Sequence, residues 1–435
     1  MFYLKNKQIS FQKKSYLSSK IIYSLCFKYI YLEKGFLLTN TTATQKRRHL
    51  YEIDFMRIFF TLGVLFNHTV NKFTSAMTDG NTYYTVRSAR VMFHYTRMGF
   101  IFISGIVLTL TYFKKHDWSK FLKKRFGGSL WPYLAWNALL MTLMIMIGNP
   151  NYSLDSFGSK YFTIVMHGSS FYLYYMLLVM QLYLLFPVIV YLFQHFARHH
   201  SLILSTSFTI QLLTDFWIKY VMSQTDTSSW PYWIKAVSIN IFAYQFYIFF
   251  GVYTWLYHEK VYAFLERHIK QLIILAISMA FGMIAYYRIW NQQYLQLDSD
   301  HALSLHQPYI VCYDIVMLSL IFWIGKKYAQ RQARGLPNWL QSLMDRAVKV
   351  SFGMYLNQTI GLLIVNYILS TLSLPNWLLL ILIPVGWLLV VFISFELAWI
   401  CYKVPPLGFL VGRPNWHPLK NSKLSVFKKI SASKE

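Results

Sequence analysis

The chain has 435 residues, of which 56% are hydrophobic, 19% aromatic and only 13% charged, and such a composition excludes an ordinary soluble globular domain. Its formal net charge of +26 could indicate a nucleic-acid-binding protein. The cations alternate from loop to loop between apolar runs, however, which predicts no nucleic-acid partner and favours a membrane protein. The cysteines, Cys26, Cys312 and Cys401, are too few and too scattered for a disulfide framework or a zinc site, so we expect no metal.

Long uncharged runs define the fold class. Residues 126–154, 168–194 and 350–395 contain no Asp, Glu, Lys, Arg or His. About 20 apolar residues are enough for a helix to cross a bilayer. The sequence therefore predicts an all-α integral membrane protein, a polytopic bundle in the lipid bilayer of the cell membrane.

Three regions are predicted along the chain. Residues 1–47 are expected to be a basic cytoplasmic extension, because their apolar piece is interrupted by Lys28 and lacks the small-residue cleavage pattern of a signal peptide. Residues 48–402 are expected to be the transmembrane domain, and residues 403–435 a basic cytoplasmic tail. The sequence leaves open whether residues 1–47 are a genuine start.

The transmembrane domain is predicted to contain about ten helical spans. They lie at approximately 52–72, 90–113, 129–148, 170–194, 202–222, 237–257, 271–290, 306–325, 347–371 and 376–402. If the amino terminus is cytoplasmic, the inner loops and tails hold most of the 42 Lys and Arg residues, as the positive-inside rule requires. We therefore expect both termini in the cytoplasm.

The first span carries three polar residues in an otherwise apolar helix, Asp54, Arg57 and His68. Asp54 and Arg57 are one turn apart and can pair, while Arg57 and His68 return to one helix face about 16 Å apart. Ionisable groups in a membrane helix usually face a protein interior or a wet cavity. We therefore predict a functional face, although the charged residues could instead reach the membrane interface.

The second span contains Arg97 in its outer part and Ser104-Gly105 near its middle. Arg97 and Ser104 are candidate substrate-binding residues. A small Ser-Gly pair also lets two helices approach closely, and for Ser104 this structural interpretation is favoured.

Other ionisable residues receive no functional role from the sequence. His94, at the outer edge of its span, and the inner-loop histidines are expected to be solvated; the latter are His195, His199 and His200. Asp314 and Glu396, in the eighth and tenth spans, either line the same cavity as the first span or pair within the packed bundle.

The inner loop after the second span is strongly basic and includes Lys123, Lys124 and Arg125. Lys and Arg make charge-assisted hydrogen bonds to phosphate oxygens, so this loop is a candidate site for a phosphate-rich ligand. Anionic lipid headgroups would be held by the same residues, and composition does not distinguish the two.

These motifs occur in a recognisable order. Arg57 and His68 are followed by FIFISG at 100–105 and KKRFGGSLWPY at 123–133. The set resembles the membrane-bound acyltransferase family 3.

Two further blocks, residues 171–188 and 246–268, are similar to the intercellular-adhesion protein C branch of that family. Members of that branch are linked to O-succinylation, or alternatively export, of the biofilm polymer poly-N-acetylglucosamine. The resemblance covers roughly residues 48–402. It implies a ten-helix enzyme that moves an acyl group, acetyl or succinyl, from cytoplasmic acyl-CoA as co-substrate to a hydroxyl of an extracellular or cell-envelope polysaccharide. It also suggests a polysaccharide synthase as a partner.

Residue roles follow from the same resemblance. His68 matches the family's catalytic histidine and Arg57 its first-helix arginine. Asp54 is the third catalytic candidate because it can pair with Arg57, not through the resemblance. The basic motif expected near the donor's phosphates is matched by Lys124 and Arg125, beside Lys123.

The chain departs from the family pattern at two positions. Gly128 stands where many members carry another basic residue, which weakens the donor-site assignment. Gln358 stands where many carry a ninth-span histidine, which argues against a role for that later histidine.

Acyl transfer to a hydroxyl needs a base, and His has a suitable unperturbed pKa; such general-base help contributes about 10²–10⁴-fold in rate. His68 lies near the outer end of its span and the basic loop near the inner face. The acyl group must therefore cross the bundle, either by threading of the CoA arm to His68 or through a covalent relay.

Two other functions remain open at this point. An exporter or flippase would be expected to show internal repeats and broken helices near the midplane. A membrane scaffold for a polymer synthase would leave the charged face of the first span unexplained.

Overall fold

The computed structural model describes residues 49–413, apart from the side chains of residues 299 and 300. The predicted extension at 1–47, most of the predicted tail at 403–435 and the predicted position of both termini therefore lie outside the described residues. Between residues 49 and 413 the chain is helical and contains no β-strand. The predicted fold class is thus confirmed.

The helices are numbered in chain order. They are α1 (Tyr51–Ala76), α2 (Asn81–Arg90), α3 (Tyr95–Tyr112), α4 (Trp118–Met146), α5 (Phe157–His167), α6 (Tyr174–His195), α7 (His200–Tyr220), α8 (Gln245–Leu256), α9 (His258–Arg267), α10 (Ile269–Ala285), α11 (Pro308–Ala333), α12 (Asn338–Thr371) and α13 (Asn376–Lys403). A π-helical stretch, Tyr286–Tyr294, continues α10. Shorter helical turns are found at Val91–Phe93, Met222–Gln224, Tyr232–Lys235, Val237–Ile239, Ile241–Tyr244, Ser299–Ala302 and Leu407–Val411.

Nine stretches of helix within residues 49–413 are long and apolar enough to cross a membrane. Each overlaps one of the predicted spans. The remaining prediction, 237–257, contains the shorter apolar stretch Ile241–Leu256, whose outer part is a 3₁₀ turn. The 12 residues of α8 extend about 18 Å, less than the ~30 Å hydrocarbon thickness of a bilayer. This short helix is mostly buried inside the bundle instead.

Helix α1 occupies a central position, because it packs against α3, α11, α12 and α13. Met56, Phe60 and Leu65 of α1 are completely buried. A central first helix places its polar residues inside the protein.

Helices α3 and α8 pack with their backbones in close approach at Gly105 and Gly251. A β-carbon on Gly251 would lie 2.2 Å from the carbonyl oxygen of Phe102, and one on Gly105 would lie 2.7 Å from that of Ile248. Only glycine fits at such distances, as in other small-residue contacts between membrane helices. The structural interpretation of the Ser104-Gly105 pair is therefore confirmed through Gly105.

We call the end of the bundle that contains the start of α1 the inner end, and the opposite end the outer end, following the charge-based prediction. At the inner end an ion pair of 3.2 Å between Glu52 and Lys326 joins α1 to α11. A second pair, 2.7 Å between Glu266 and Lys327, attaches α9 to α11. Hydrogen bonds from Lys327 and Trp323 hold the pKa of the Glu266 carboxyl below its usual value.

Candidate functional site

Arg57 and His68 both point into the bundle, where they line two separate cavities. Arg57 lines the larger one, which we call the inner cavity. His68 lies on the smaller one, the outer cavity. The predicted common face of α1 is therefore an interior face, and neither residue is a helix end reaching the membrane interface.

The inner cavity has a volume of about 350 Å³ and is rich in cations. Its lining includes Arg57, Lys124, Arg125, Lys349 and Arg413, together with the hydroxyl residues Thr61, Ser104, Ser129 and Ser351. None of the described residues that line it is Asp or Glu. The net positive lining suits a ligand with several negative charges.

The guanidinium of Arg125 contacts an aromatic ring and has one donor without a partner. Its carbon lies 5.1 Å from the centre of the Tyr112 ring, a cation–π contact. Its Nε atom is buried and has no hydrogen-bond partner. An orphaned charged donor at a cavity wall marks a position where a ligand acceptor fits.

Sequence reasoning missed two of the cavity's cations, Lys349 of α12 and Arg413. Arg413 follows the helical turn Leu407–Val411, which packs against α4. The two segments meet closely, because a β-carbon on Gly412 would lie 3.1 Å from the carbonyl oxygen of Gly128. Arg413 therefore brings a cation to the cavity at the place where Gly128 lacks one.

The outer cavity is much smaller, about 30 Å³, which is room for one or two water molecules. The His68 ring packs on the Tyr172 ring, with 3.7 Å between the ring centres. Arg97 also lines the cavity; its guanidinium lies 4.7 Å from the centre of the Tyr174 ring and donates a 3.4 Å hydrogen bond to the Tyr244 hydroxyl.

Several polar atoms around the outer cavity have no partner. Asn67 Oδ1, His94 Nδ1 and the Tyr175 hydroxyl are buried without a hydrogen bond, and all three residues line the cavity. The prediction that His94 is solvated was wrong, since this residue is 8% exposed. It follows the one-turn helix Val91–Phe93, which packs against α1 and α10, and this tertiary packing is not revealed by a position at the edge of a predicted span. Orphaned polar groups gathered at one cavity are typical of a ligand site.

Three residues, Phe100, Tyr175 and Tyr355, line both cavities. Their rings contact one another, with centres 6.0 Å apart for Phe100 and Tyr175 and 5.8 Å apart for Tyr175 and Tyr355. Within residues 49–413 these three side chains are shared by the inner and outer cavities, and we call them the aromatic partition.

Other predicted site residues have different surroundings. Asp54 pairs with His49 and not with Arg57, so the predicted pair within α1 was wrong. His49 lies just before the helix and occupies the carboxylate of Asp54. Lys123 is exposed and does not line the inner cavity, unlike its neighbours Lys124 and Arg125. Ser104 lines that cavity, but its hydroxyl donates to the Phe100 carbonyl of its own helix at 2.7 Å.

A second buried polar cluster lies at the outer end beside the outer cavity, because the Tyr244 ring, whose hydroxyl accepts from Arg97, contacts the His306 ring with 4.9 Å between the ring centres. Asp215 pairs with His306 at 3.4 Å, and Lys219 donates to Asn291 and Gln307 at 2.5 and 3.0 Å. These contacts join α7 to the segments before α11. Most of the polar side-chain atoms in this cluster have a hydrogen-bond or ion-pair partner within it.

Two further ionisable residues are also used in packing. Asp314 accepts a 2.6 Å bond from Tyr247 and pairs with neither Arg57 nor Arg97. His200 was wrongly predicted to be solvated, because it is buried and bonded to the Phe193 carbonyl and the Tyr257 hydroxyl. His195 and His199 are exposed, as predicted. Over the part of the chain that the structure describes, no group of His, Cys, Asp and Glu side chains could hold a metal ion.

Comparisons with known proteins identify a family for this chain. A family model described as "Acyltransferase domain" matches residues 50–403. The chain is also similar to the "Probable poly-beta-1,6-N-acetyl-D-glucosamine export protein" of Staphylococcus aureus strains MSSA476 and MW2, at 28% identity over 186 residues in each case. That match covers 43% of this chain and 50% of each relative, so the chain spans about half the length of these curated relatives. No solved structure matches it.

Proposed function

This chain belongs to the acyltransferase domain family, and from that premise we propose a specific reaction. The protein is a multi-pass membrane O-acyltransferase of the plasma membrane. It moves an acetyl or succinyl group from cytoplasmic acyl-CoA to a hydroxyl of an extracellular or cell-envelope polysaccharide.

One observation carries the proposal: a cation-lined cavity and a histidine-lined cavity share a wall. The cavity with the cations is at the inner end, where acyl-CoA is found. The cavity with His68 is toward the outer end, where a secreted polymer is found. A transferase with substrates on opposite sides of a membrane needs this arrangement.

The inner cavity supplies the donor site in this proposal. Lys124, Arg125, Lys349 and Arg413 bind the phosphates of CoA, and its acyl-bearing arm extends toward the outer end past Arg57. Arg is well suited to phosphate because its planar fork donates two parallel hydrogen bonds. The shared partition favours threading of the CoA arm over a covalent relay, since the arm needs to pass only the rings between the two cavities.

His68 is the base in this proposal. Its imidazole takes the proton of the sugar hydroxyl as the oxygen attacks the thioester carbonyl, and it returns that proton to the departing CoA thiolate. Proton transfer of this kind contributes about 10²–10⁴-fold in rate. Asp54, bonded to His49 at the inner end, takes no part in this step.

The relatives' printed name gives the second candidate function, polysaccharide export. A polymer that is exported through the bundle must pass its aromatic partition and the outer cavity. That cavity holds one or two waters, so export of a polymer would require the outer cavity and the partition to open along the whole path. The transferase requires only that one sugar hydroxyl reach His68 from the outer end, and this smaller opening favours the transferase over the exporter.

The test is His68→Ala in cells that make the surface polymer. We expect the variant to reach the membrane, to leave the polymer outside and to remove its O-acyl groups. The amount and location of polymer are measured with an antibody or lectin, and its acyl content by mass spectrometry. His195→Ala, at an exposed inner-loop histidine, is the matched control and should leave both values unchanged.

Each result of this test has a defined meaning. Polymer retained inside the cell with normal acylation would favour export and contradict the transferase. Normal export together with normal acylation would remove His68 from the reaction.

A further inference from the structure

Tyr175 occupies a position that none of the roles assigned so far explains. It lies in the first turn of α6 and lines both the inner and the outer cavity. It is 9% exposed, and its hydroxyl has no hydrogen-bond partner.

The other two residues of the partition offer no free polar group to a ligand. Phe100 has no polar side-chain atom. The Tyr355 hydroxyl is already used, because it donates to the backbone carbonyl of Tyr172 at 2.5 Å. Of the side chains that line both cavities, Tyr175 therefore supplies the one unused hydrogen-bond donor.

A reacting thioester must sit at this partition. The donor enters from the inner cavity, and His68 lies on the outer one, so the carbonyl carbon has to be reached from both. We propose that the Tyr175 hydroxyl donates a hydrogen bond to the thioester oxygen and stabilises the negative charge that develops there. This inference rests on the proposed function and adds a further catalytic residue to it.

The step balances as follows. The sugar oxygen loses its proton to His68 and forms a bond to the carbonyl carbon, whose oxygen becomes an oxyanion bonded to the Tyr175 hydroxyl. Collapse of this intermediate restores the C=O bond, breaks the C–S bond and releases CoA thiolate, which takes the proton back from His68. Tyr175 keeps its own proton throughout.

Two features of the surroundings favour this role. A tyrosine hydroxyl without another partner is free to bond to a new acceptor. The amino-terminal turn of a helix also stabilises negative charge, and Tyr175 lies in such a turn. Preorganised donors of this type act where charge develops in the transition state.

The test compares Tyr175→Phe with Tyr133→Phe in purified full-length protein. The first change keeps the ring in the partition and removes a hydroxyl without a partner. The second, on another buried tyrosine outside both cavities, removes a hydroxyl that donates to the Val165 carbonyl at 2.7 Å. Release of free CoA from acetyl-CoA or succinyl-CoA is measured with a soluble β-1,6-linked N-acetylglucosamine oligomer as acceptor, alongside thermal unfolding.

We expect opposite patterns from the two variants. Tyr175→Phe should lower kcat by about 10²–10³-fold, the usual effect of removing one such donor, with an unchanged KM for acyl-CoA and an unchanged melting temperature. Tyr133→Phe should lower the melting temperature and leave kcat as in the wild type.

Two results would overturn the inference. If wild type releases CoA and Tyr175→Phe does so at the same kcat, Tyr175 has no catalytic role while the proposed function stands. If wild type transfers no acyl group from either CoA ester, the proposed function fails and the role of Tyr175 fails with it.

Discussion

Arg413 shows how a cation can be supplied from a distant part of the chain. The residue follows the turn Leu407–Val411, far in sequence from the basic loop at 123–125, yet it lines the inner cavity with Lys124 and Arg125. Its neighbour Gly412 adopts φ +67°, a left-handed conformation that glycine accepts without strain. This turn directs the chain, and with it Arg413, toward Gly128.

We expect Arg413→Ala to raise the KM for acyl-CoA about tenfold with little change in kcat. A hydrogen bond to a charged group contributes about 1.5–3 kcal/mol, and the exposed position of Arg413 favours the lower value, which corresponds to about tenfold. Steady-state kinetics with varied acyl-CoA measure this effect.

Lys123→Ala is the matched control, since Lys123 has the same charge but is exposed outside the cavity. Equal KM values for Arg413→Ala and Lys123→Ala would mean that Arg413 contributes only general positive charge near the inner face.

For single residues, the sequence predicts a shared position in the site only where the residues lie on the same helix. Arg57 and His68 lie on one interior face because helical periodicity alone relates them. Lys349, Arg413 and Tyr175 join the site through tertiary packing, for which the sequence offers no periodic signal. The burial of His94 was not predicted for the same reason.

The segment that enters α6 is the element that covers His68. Phe171 adopts φ +46°, an uncommon conformation for a bulky residue, and the next residue, Tyr172, packs its ring on that of His68. The Tyr172 carbonyl is held by Tyr355. Backbone strain of this type costs about 1–3 kcal/mol and often occurs at functional sites.

We expect Tyr172→Ala to increase the hydrolysis of acyl-CoA in the absence of acceptor, because removal of the ring opens the histidine to water. Exclusion of water is a common reason for covering an active site. Tyr172→Phe keeps the ring and the backbone carbonyl and should behave as wild type. Release of CoA without acceptor is the measurement, and equal rates in all three proteins would show that Tyr172 does not shield the site.

The sequence predicts the presence of the helices better than it predicts their length and regularity. Nine predicted spans correspond to long apolar helices because the hydrophobic runs are long and uncharged. The stretch 237–257 is broken into 3₁₀ turns before α8, since its partners within the bundle, and not the bilayer, determine its length. The small residues Gly105 and Gly251 are what allow that helix to be enclosed.

The two ends of the bundle differ, because the inner cavity carries the cluster of cations and the outer cavity carries His68. In the proposed orientation, the cations of the inner cavity face the cytoplasm. Acyl-CoA added to inside-out membrane vesicles should therefore be consumed, and acyl-CoA added to right-side-out vesicles should not, because CoA esters do not cross a bilayer unaided. Permeabilising the right-side-out vesicles with detergent should restore turnover.

Consumption in intact right-side-out vesicles alone would reverse the orientation predicted from the Lys and Arg distribution. That distribution predicts orientation because it reflects how the chain inserts. It contains no information about which helices meet, and the position of the two cavities had to come from the fold.

The aromatic partition has a consequence for the cell as well as for the reaction. A water-filled passage joining the two cavities would leak protons and dissipate the gradient on which the cell depends. Phe100, Tyr175 and Tyr355 lie between the two cavities. In the proposed threading mechanism the CoA arm fills the gap that it opens between these rings, so the bound substrate would preserve the membrane's electrical insulation during turnover.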